Sequence, residues 1–172
     1  MCGKSRDIEW LISQRFRVSG VELSRIAVEQ LFSDLGLEPS ITPVGRLAHY
    51  SAQGIDIFLG DVFDLSADIL GVVDAVYDRA ALVALPRDMR IRYASHLSNI
   101  TIAAPQLLIC FEYDQSLRDG PPFSVGGEEI QQLYLGKYRV LRLETVLVNG
   151  GVKGLKEATE SVWLLERREA SN

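Results

Sequence analysis

The chain holds only two residues each of cysteine, histidine, methionine and tryptophan. Cys2 and Cys110 stand far apart and form no CxxC pair, and neither has a zinc-ligand spacing with His49 or His96. A disulfide framework and a zinc site are therefore not expected, and both thiols read as free thiols of a reducing compartment. An excess of positive charge is also lacking: 18 Lys and Arg face 23 Asp and Glu, for a net charge of -5. Nucleic-acid affinity needs a basic surface to displace counterions, so it is not expected, although a small anionic ligand is still compatible. No apolar run approaches the roughly 20 residues that cross a bilayer. The stretch from Met1 to Trp10 carries Lys4, Arg6, Asp7 and Glu9 and has no signal-peptide character. A cytoplasmic protein without membrane contact is expected. Internal repeats, low-complexity tracts and linkers are lacking too.

What is present is ordinary globular material. The 172 residues are 47% hydrophobic and 24% charged, which suits one domain spanning 1–172 with a core of its own. Apolar β-like runs alternate with helical patterns, which points to an α/β sheet. Asp7 to Phe16 reads as a helix with Ile8, Leu11 and Ile12 on one side, followed by a strand over Arg17 to Leu23. Ser24 suits an N-cap, and Val28, Leu31, Phe32 and Leu35 then recur at helical spacing up to Gly36. Leu47 to Ala52 and Ile55 to Gly60 read as strands joined across Gln53 and Gly54, and Val72 to Tyr77 is a third apolar run. Pro86 suits the first turn of a helix running to about Ser98. Gln106 to Tyr113 has the unbroken apolar character of a buried strand. Glu128 to Tyr134 reads as a short helix, and Arg139 to Val148 with Ser161 to Arg167 as a terminal antiparallel hairpin. A helix opening at Gly3-Lys4-Ser5 should follow the first strand of the sheet, but only Met1 and Cys2 precede it. A missing first strand, and an N-terminally truncated domain, are therefore expected.

Five clusters could carry chemistry. Gly3-Lys4-Ser5 looks like the end of a phosphate loop, but such a loop needs a glycine five positions before Gly3, so triphosphate binding is not expected. A strand-to-helix turn against a ligand, or a plain turn, are the readings left. Glu22 ends a strand roughly 20 residues after a glycine turn, where a carboxylate can accept hydrogen bonds from both hydroxyls of a ribose; a solvated surface group is the other reading. In Gly60-Asp61-Val62-Phe63, Asp61 can accept from an adenine amino group while Val62 packs on the ring, or can simply cap a turn. Asp78 and Arg79 follow an apolar run, where α/β folds place ligands, and Arg79 offers a planar donor fork; a structural ion pair is the alternative. Gly120-Pro121-Pro122-Phe123 is a stiff turn that could cover an apolar substrate or merely lie on the surface.

Taken in order, Cys-Gly-Lys-Ser, Gly-Val-Glu-Leu-Ser, Gly-Asp-Val-Phe-Asp-Leu, Tyr-Asp-Arg-Ala-Ala-Leu-Val-Ala-Leu and Asp-Gly-Pro-Pro-Phe-Ser-Val resemble the thiopurine S-methyltransferase family from Met1 to about Arg168. The resemblance implies a Rossmann-like class I methyltransferase sheet with helices on both faces. It implies S-adenosyl-L-methionine as cofactor and a small-molecule thiol of aromatic or heterocyclic type as acceptor, with selenium or tellurium species as further acceptors. It also implies roles for individual residues. Met1, Cys2 and Gly3 would lie against the methionine portion of the cofactor. Glu22 would bind the ribose with Leu23 beside the adenine, and Asp61 and Val62 would contact the adenine. Arg79 would reach both cofactor and substrate, and Pro121, Pro122 and Phe123 would wall the acceptor pocket. An in-line displacement is expected, without metal or covalent intermediate. In it Arg79 steadies an anionic acceptor, and Asp78 either holds Arg79 or takes a proton through water.

Two departures from the family pattern stand out. The N-terminal segment with its Trp and first strand has no counterpart here. The Arg that some family members carry before the last strand is also lacking from the stretch Val148 to Lys153, leaving Lys153 and Lys156 to replace its charge. A monomer is expected, with self-association possible through the missing-strand gap. An inactive relic that binds cofactor poorly, or serves as an interaction module, is the alternative.

Overall fold

The Ser5 hydroxyl accepts from the Asp7 N–H and opens α1 (Arg6–Ser13), so the helix begins where its first free amide finds an oxygen. Ser24 does the same for Ala27 at the head of α2 (Arg25–Asp34), and Gly36 takes a φ of +66° just beyond that helix. The computed structural model describes residues 1–3, 5–148 and 157–168. It divides into two compact units, Met1–Gly71 and Val72–Asn172.

The first unit adds β1 (Val18–Glu22), β2 (Ser40–Val44), β3 (Leu47–Ala52), β4 (Ile55–Leu59) and the short α3 (Ala67–Leu70). Its sheet has the order β1-β4-β3-β2, with β1 and β4 parallel and the other pairs antiparallel. Every residue of β4 is buried, as the central position of a short sheet requires. Ile55, Ile57 and Leu59 pack with Ile8 of α1 and with Val28, Leu31 and Phe32 of α2. Each such side chain contributes roughly 1.5–3 kcal/mol on leaving water. The backbone of Met1 and Cys2 lies along the other edge of β1, where the Cys2 N–H donates to the Val21 carbonyl at 3.0 Å.

The second unit holds β5 (Val76–Arg79), α4 (Arg87–Ile100), β6 (Gln106–Glu112), α5 (Gly127–Tyr134), β7 (Tyr138–Leu147) and β8 (Thr159–Arg167). Its sheet order is β5-β6-β8-β7, with β5 and β6 parallel and β6-β8 and β8-β7 antiparallel. The expected terminal hairpin is β7-β8, with a bulge between Arg142 and Glu144.

Two expectations need correction, and two elements were not anticipated. The strand expected near Val72 to Tyr77 begins only at Val76, because strand pairing starts there, opposite Gln106. In β6 the burial alternates: Gln106, Leu108 and Cys110 are buried, while Leu107, Ile109 and Phe111 keep partial exposure. The unbroken apolar run had implied burial on both faces. The edge strand β2 and the one-turn α3 had no apolar pattern to announce them. β2 is largely exposed and carries Pro43, which an edge strand tolerates.

Candidate functional site

In the first unit, the carboxyl ends of β1 and β4 bring together the residues expected on the cofactor side. Glu22 closes β1, and the Gly60 N–H donates to the Glu22 carbonyl at 2.9 Å, so the turn after β4 starts beside it. The Glu22 carboxylate is fixed by backbone donors: Oε2 accepts from the Gly3 N–H at 2.9 Å and Oε1 from the Ser24 N–H at 3.0 Å. The Met1 ammonium lies 2.8 Å from Oε2. Burial alone would raise the Glu22 pKa, but the bonds from Met1, Ser24 and Gly3 outweigh it and hold the group below its usual value. The carboxylate is thus an ionised acceptor. Oε2 is taken by the Gly3 N–H and the Met1 ammonium, while Oε1 has lone-pair capacity left beyond its bond from Ser24, which suits a hydroxyl donor such as that of a ribose.

Gly3 sits at φ +55°, and a β-carbon there would meet nothing within 4 Å, so the turn faces open space. Leu23 beside it is 66% exposed. Cys2 packs on Gly20, where a β-carbon would come within 3.0 Å of its Sγ. Burial pushes the Cys2 thiol up, which disfavours a thiolate at this position. After Gly60, Asp61 caps a short 3₁₀ turn over Val62–Asp64, its Oδ1 accepting from the Phe63 N–H at 3.0 Å. Asp61 is exposed and Val62 buried.

The second unit holds the residues expected on the acceptor side. β5 ends at Asp78 and Arg79, and consecutive strand residues point to opposite faces. Asp78 is buried at 3% exposure while Arg79 is exposed. Among the described residues no donor meets hydrogen-bond geometry at either Asp78 oxygen. Burial raises the Asp78 carboxyl to about 6, and the nearby Tyr93 hydroxyl and the Ala81 and Leu82 N–H groups oppose that shift without cancelling it. The chain then turns at Ala80, whose φ of +64° is uncommon for a residue with a β-carbon.

The Gly120–Phe123 turn contains two cis peptide bonds, Gly120-Pro121 and Pro121-Pro122. It is held by bonds rather than left loose. The Phe123 N–H donates to the Val83 carbonyl at 2.6 Å, and the Tyr113 hydroxyl to the Pro122 carbonyl at 2.5 Å. Gly120 takes φ +86°, and a β-carbon there would strike the Phe123 ring at 2.5 Å. Lys4, Lys153 and Lys156 lie outside the described residues.

Sequence reasoning missed two polar clusters. Asp56 on β4, buried at 5%, accepts from Arg17 Nε at 3.0 Å, from Ser51 Oγ at 2.9 Å, and pairs with His49 Nε2 at 2.8 Å. Burial raises its pKa, yet Ser51, His49 and Arg17 together hold it below the usual value. Ser51 and His49 both engage Asp56 Oδ1 rather than each other, so this is a satisfied structural acid and not a nucleophile-base chain. The second cluster is Arg90 with Glu129, 39 residues apart in sequence. No motif links such distant residues, and only the packing of α4 on α5 reveals them.

The sequence model of the family described as "Thiopurine S-methyltransferase (TPMT)" matches residues 1–168. The chain belongs to the thiopurine S-methyltransferase family. A thiopurine S-methyltransferase of Xanthobacter autotrophicus is 60% identical over 167 residues, covering 97% of this chain and 78% of the relative. One of Teredinibacter turnerae is 53% identical with the same coverages. Among solved structures, a TehB-like SAM-dependent methyltransferase of Corynebacterium glutamicum superposes with a TM-score of 0.60 at 14% identity, covering 97% of this chain and 77% of the other. An S-adenosylmethionine-dependent methyltransferase of Clostridium acetobutylicum gives 0.59 at 15% identity, with coverages of 96% and 81%. The class I methyltransferase fold is therefore that of this family member. Family and fold together support methyl transfer as its chemistry and imply S-adenosylmethionine as the donor. Among the described residues, no helix is long and apolar enough to cross a membrane.

Proposed function

We propose that the chain transfers a methyl group from S-adenosylmethionine to an aromatic or heterocyclic thiol, with selenium and tellurium species as a further acceptor class. The observation that carries this reading, within the family, is the Glu22 carboxylate. It is ionised, fixed by two backbone N–H groups at a strand end, and retains lone-pair capacity on Oε1 for a hydroxyl donor. Leu23, Asp61 and Val62 flank the neighbouring strand ends and supply the adenine side, while Met1, Cys2 and Gly3 line the turn assigned to the methionine portion. The donor, when bound, supplies a methyl group already activated on a sulfonium. The protein therefore has only to bind, align and exclude water, and alignment alone can contribute up to about 7–11 kcal/mol. Arg79 steadies the anionic acceptor as a permanent cation. Pro121, Pro122 and Phe123 form the apolar wall against which a flat acceptor rests. Asp78 either orients Arg79 or takes a proton through a water.

Titration calorimetry with S-adenosylhomocysteine, followed by a turnover assay with S-adenosylmethionine and thiophenol, tests the reading. Micromolar binding and methylated thiol are expected. A folded sample that binds no S-adenosylhomocysteine would overturn it in favour of an inactive relic.

A further inference from the structure

Arg90 is a charged residue that the reaction as described does not use, yet it is only 5% exposed. A guanidinium taken out of water needs several partners, and each of its nitrogens has one. Nε and Nη2 fork onto the two Glu129 oxygens at 2.8 and 3.0 Å, and Nη1 donates to the Leu85 carbonyl at 2.8 Å. Its Cζ also lies 5.7 Å from the centre of the Phe123 ring, within cation-π range. Gly120 also abuts that ring and has no room for a β-carbon. Arg90 thus joins α4, the Leu85 link, the first turn of α5 and the Gly120–Phe123 turn.

We propose that the Arg90-Glu129 pair is the positioning device of the acceptor wall: it fixes the Phe123 ring against Gly120 and so sets how well a flat aromatic thiol is seated. This rests on the reading of Phe123 as part of that wall. Arg90 acts through Phe123 and is a positioning residue, not a catalytic one. A lysine has no second arm for the fork and no planar face for the ring, so Arg90→Lys is not a conservative change here.

Removing one partner leaves a buried charge and can unfold the chain, so the decisive variant is the double change Arg90→Met with Glu129→Leu. Such apolar replacement of a buried pair commonly preserves the fold. Two measurements are made on it and on the parent. Hydrogen exchange at the Phe123 amide, bonded to the Val83 carbonyl, should speed up while the first unit keeps its protection. The KM for thiophenol should rise about tenfold with kcat changed less than about threefold, and S-adenosylhomocysteine affinity should stay at the parental value. Parental protection of Phe123, or a parental KM despite lost protection, would overturn the inference. If the parent itself methylates no thiol, the functional reading falls, while the exchange measurement still decides whether Arg90 positions Phe123.

Discussion

The Gly3 N–H donates to the Glu22 carboxylate over 2.9 Å, joining the opening turn of the chain to a strand end 19 residues later. One glycine amide therefore orients the group assigned to the ribose. A charge-assisted hydrogen bond contributes roughly 1.5–3 kcal/mol, so Glu22→Gln should weaken S-adenosylhomocysteine binding by roughly tenfold or more. Calorimetry on the variant checks this, and an unchanged dissociation constant would remove Glu22 from the ribose role.

Asp78 makes a pH-dependent prediction. Burial raises its folded-state pKa from 3.8 to about 6. The folded chain therefore keeps a proton that the unfolded chain has released. The stabilisation is fully present below the unfolded value and is lost as pH rises through the folded one. At 1.36 kcal/mol per unit the full shift is worth about 3 kcal/mol, of which about 2.4 kcal/mol is lost between pH 4 and pH 8. Asp78→Asn carries no such charge, so relative to the parent it should gain about that much stability over the same interval. Urea denaturation of both chains at the two pH values measures the difference. A constant difference would mean that Asp78 does not titrate in this window.

Much of this was legible in the sequence because local signals and family motifs agreed. Ser24 capped its helix, Gln53 and Gly54 joined two strands, and the strand-end acids Glu22 and Asp61 stood where the chain turns. Other features failed for physical reasons. The β2 strand is an exposed edge, which demands no hydrophobic alternation. Asp78 and Arg79 are neighbours in sequence, and the apolar run before them does not tell that one is buried and the other exposed. Arg90 and Asp56 are charged residues whose burial is compensated by partners far along the chain, and no local pattern encodes such partners.

Gly60 is tightly constrained at the carboxyl end of β4, beside the residues proposed to hold the cofactor. Its φ is +146°, and a β-carbon there would lie 2.5 Å from Leu47 Cδ2. Gly60→Ala combines backbone strain with a clash against a buried side chain, and should cost roughly 1–3 kcal/mol. The displaced turn carries Asp61, so S-adenosylhomocysteine affinity should fall as well. Adding Leu47→Ala removes the clash but not the strain, and so should not restore binding. Restored binding in the double variant would show that sterics alone were responsible. Thermal melts read the stability and calorimetry the affinity.

Arg79 closes β5 as an exposed residue, so its replacement leaves no buried cavity. Surface changes of that kind usually fall within about 0.5 kcal/mol of the parent in stability. If Arg79 steadies an anionic acceptor, Arg79→Ala should lower kcat/KM for thiophenol by roughly a hundredfold, the scale set by losing one positioned donor. Arg79→Lys keeps the charge but not the fork, and should fall between the two. The discriminating comparison is across acceptor pH. Above the thiol pKa the acceptor is an anion and the deficit should be full. Far below it the neutral thiol gains less from a cation, and the deficit should shrink. Equal rates for Arg79→Ala and the parent at every pH would take the residue out of the reaction. A loss of stability as large as the loss of rate would make its role structural instead.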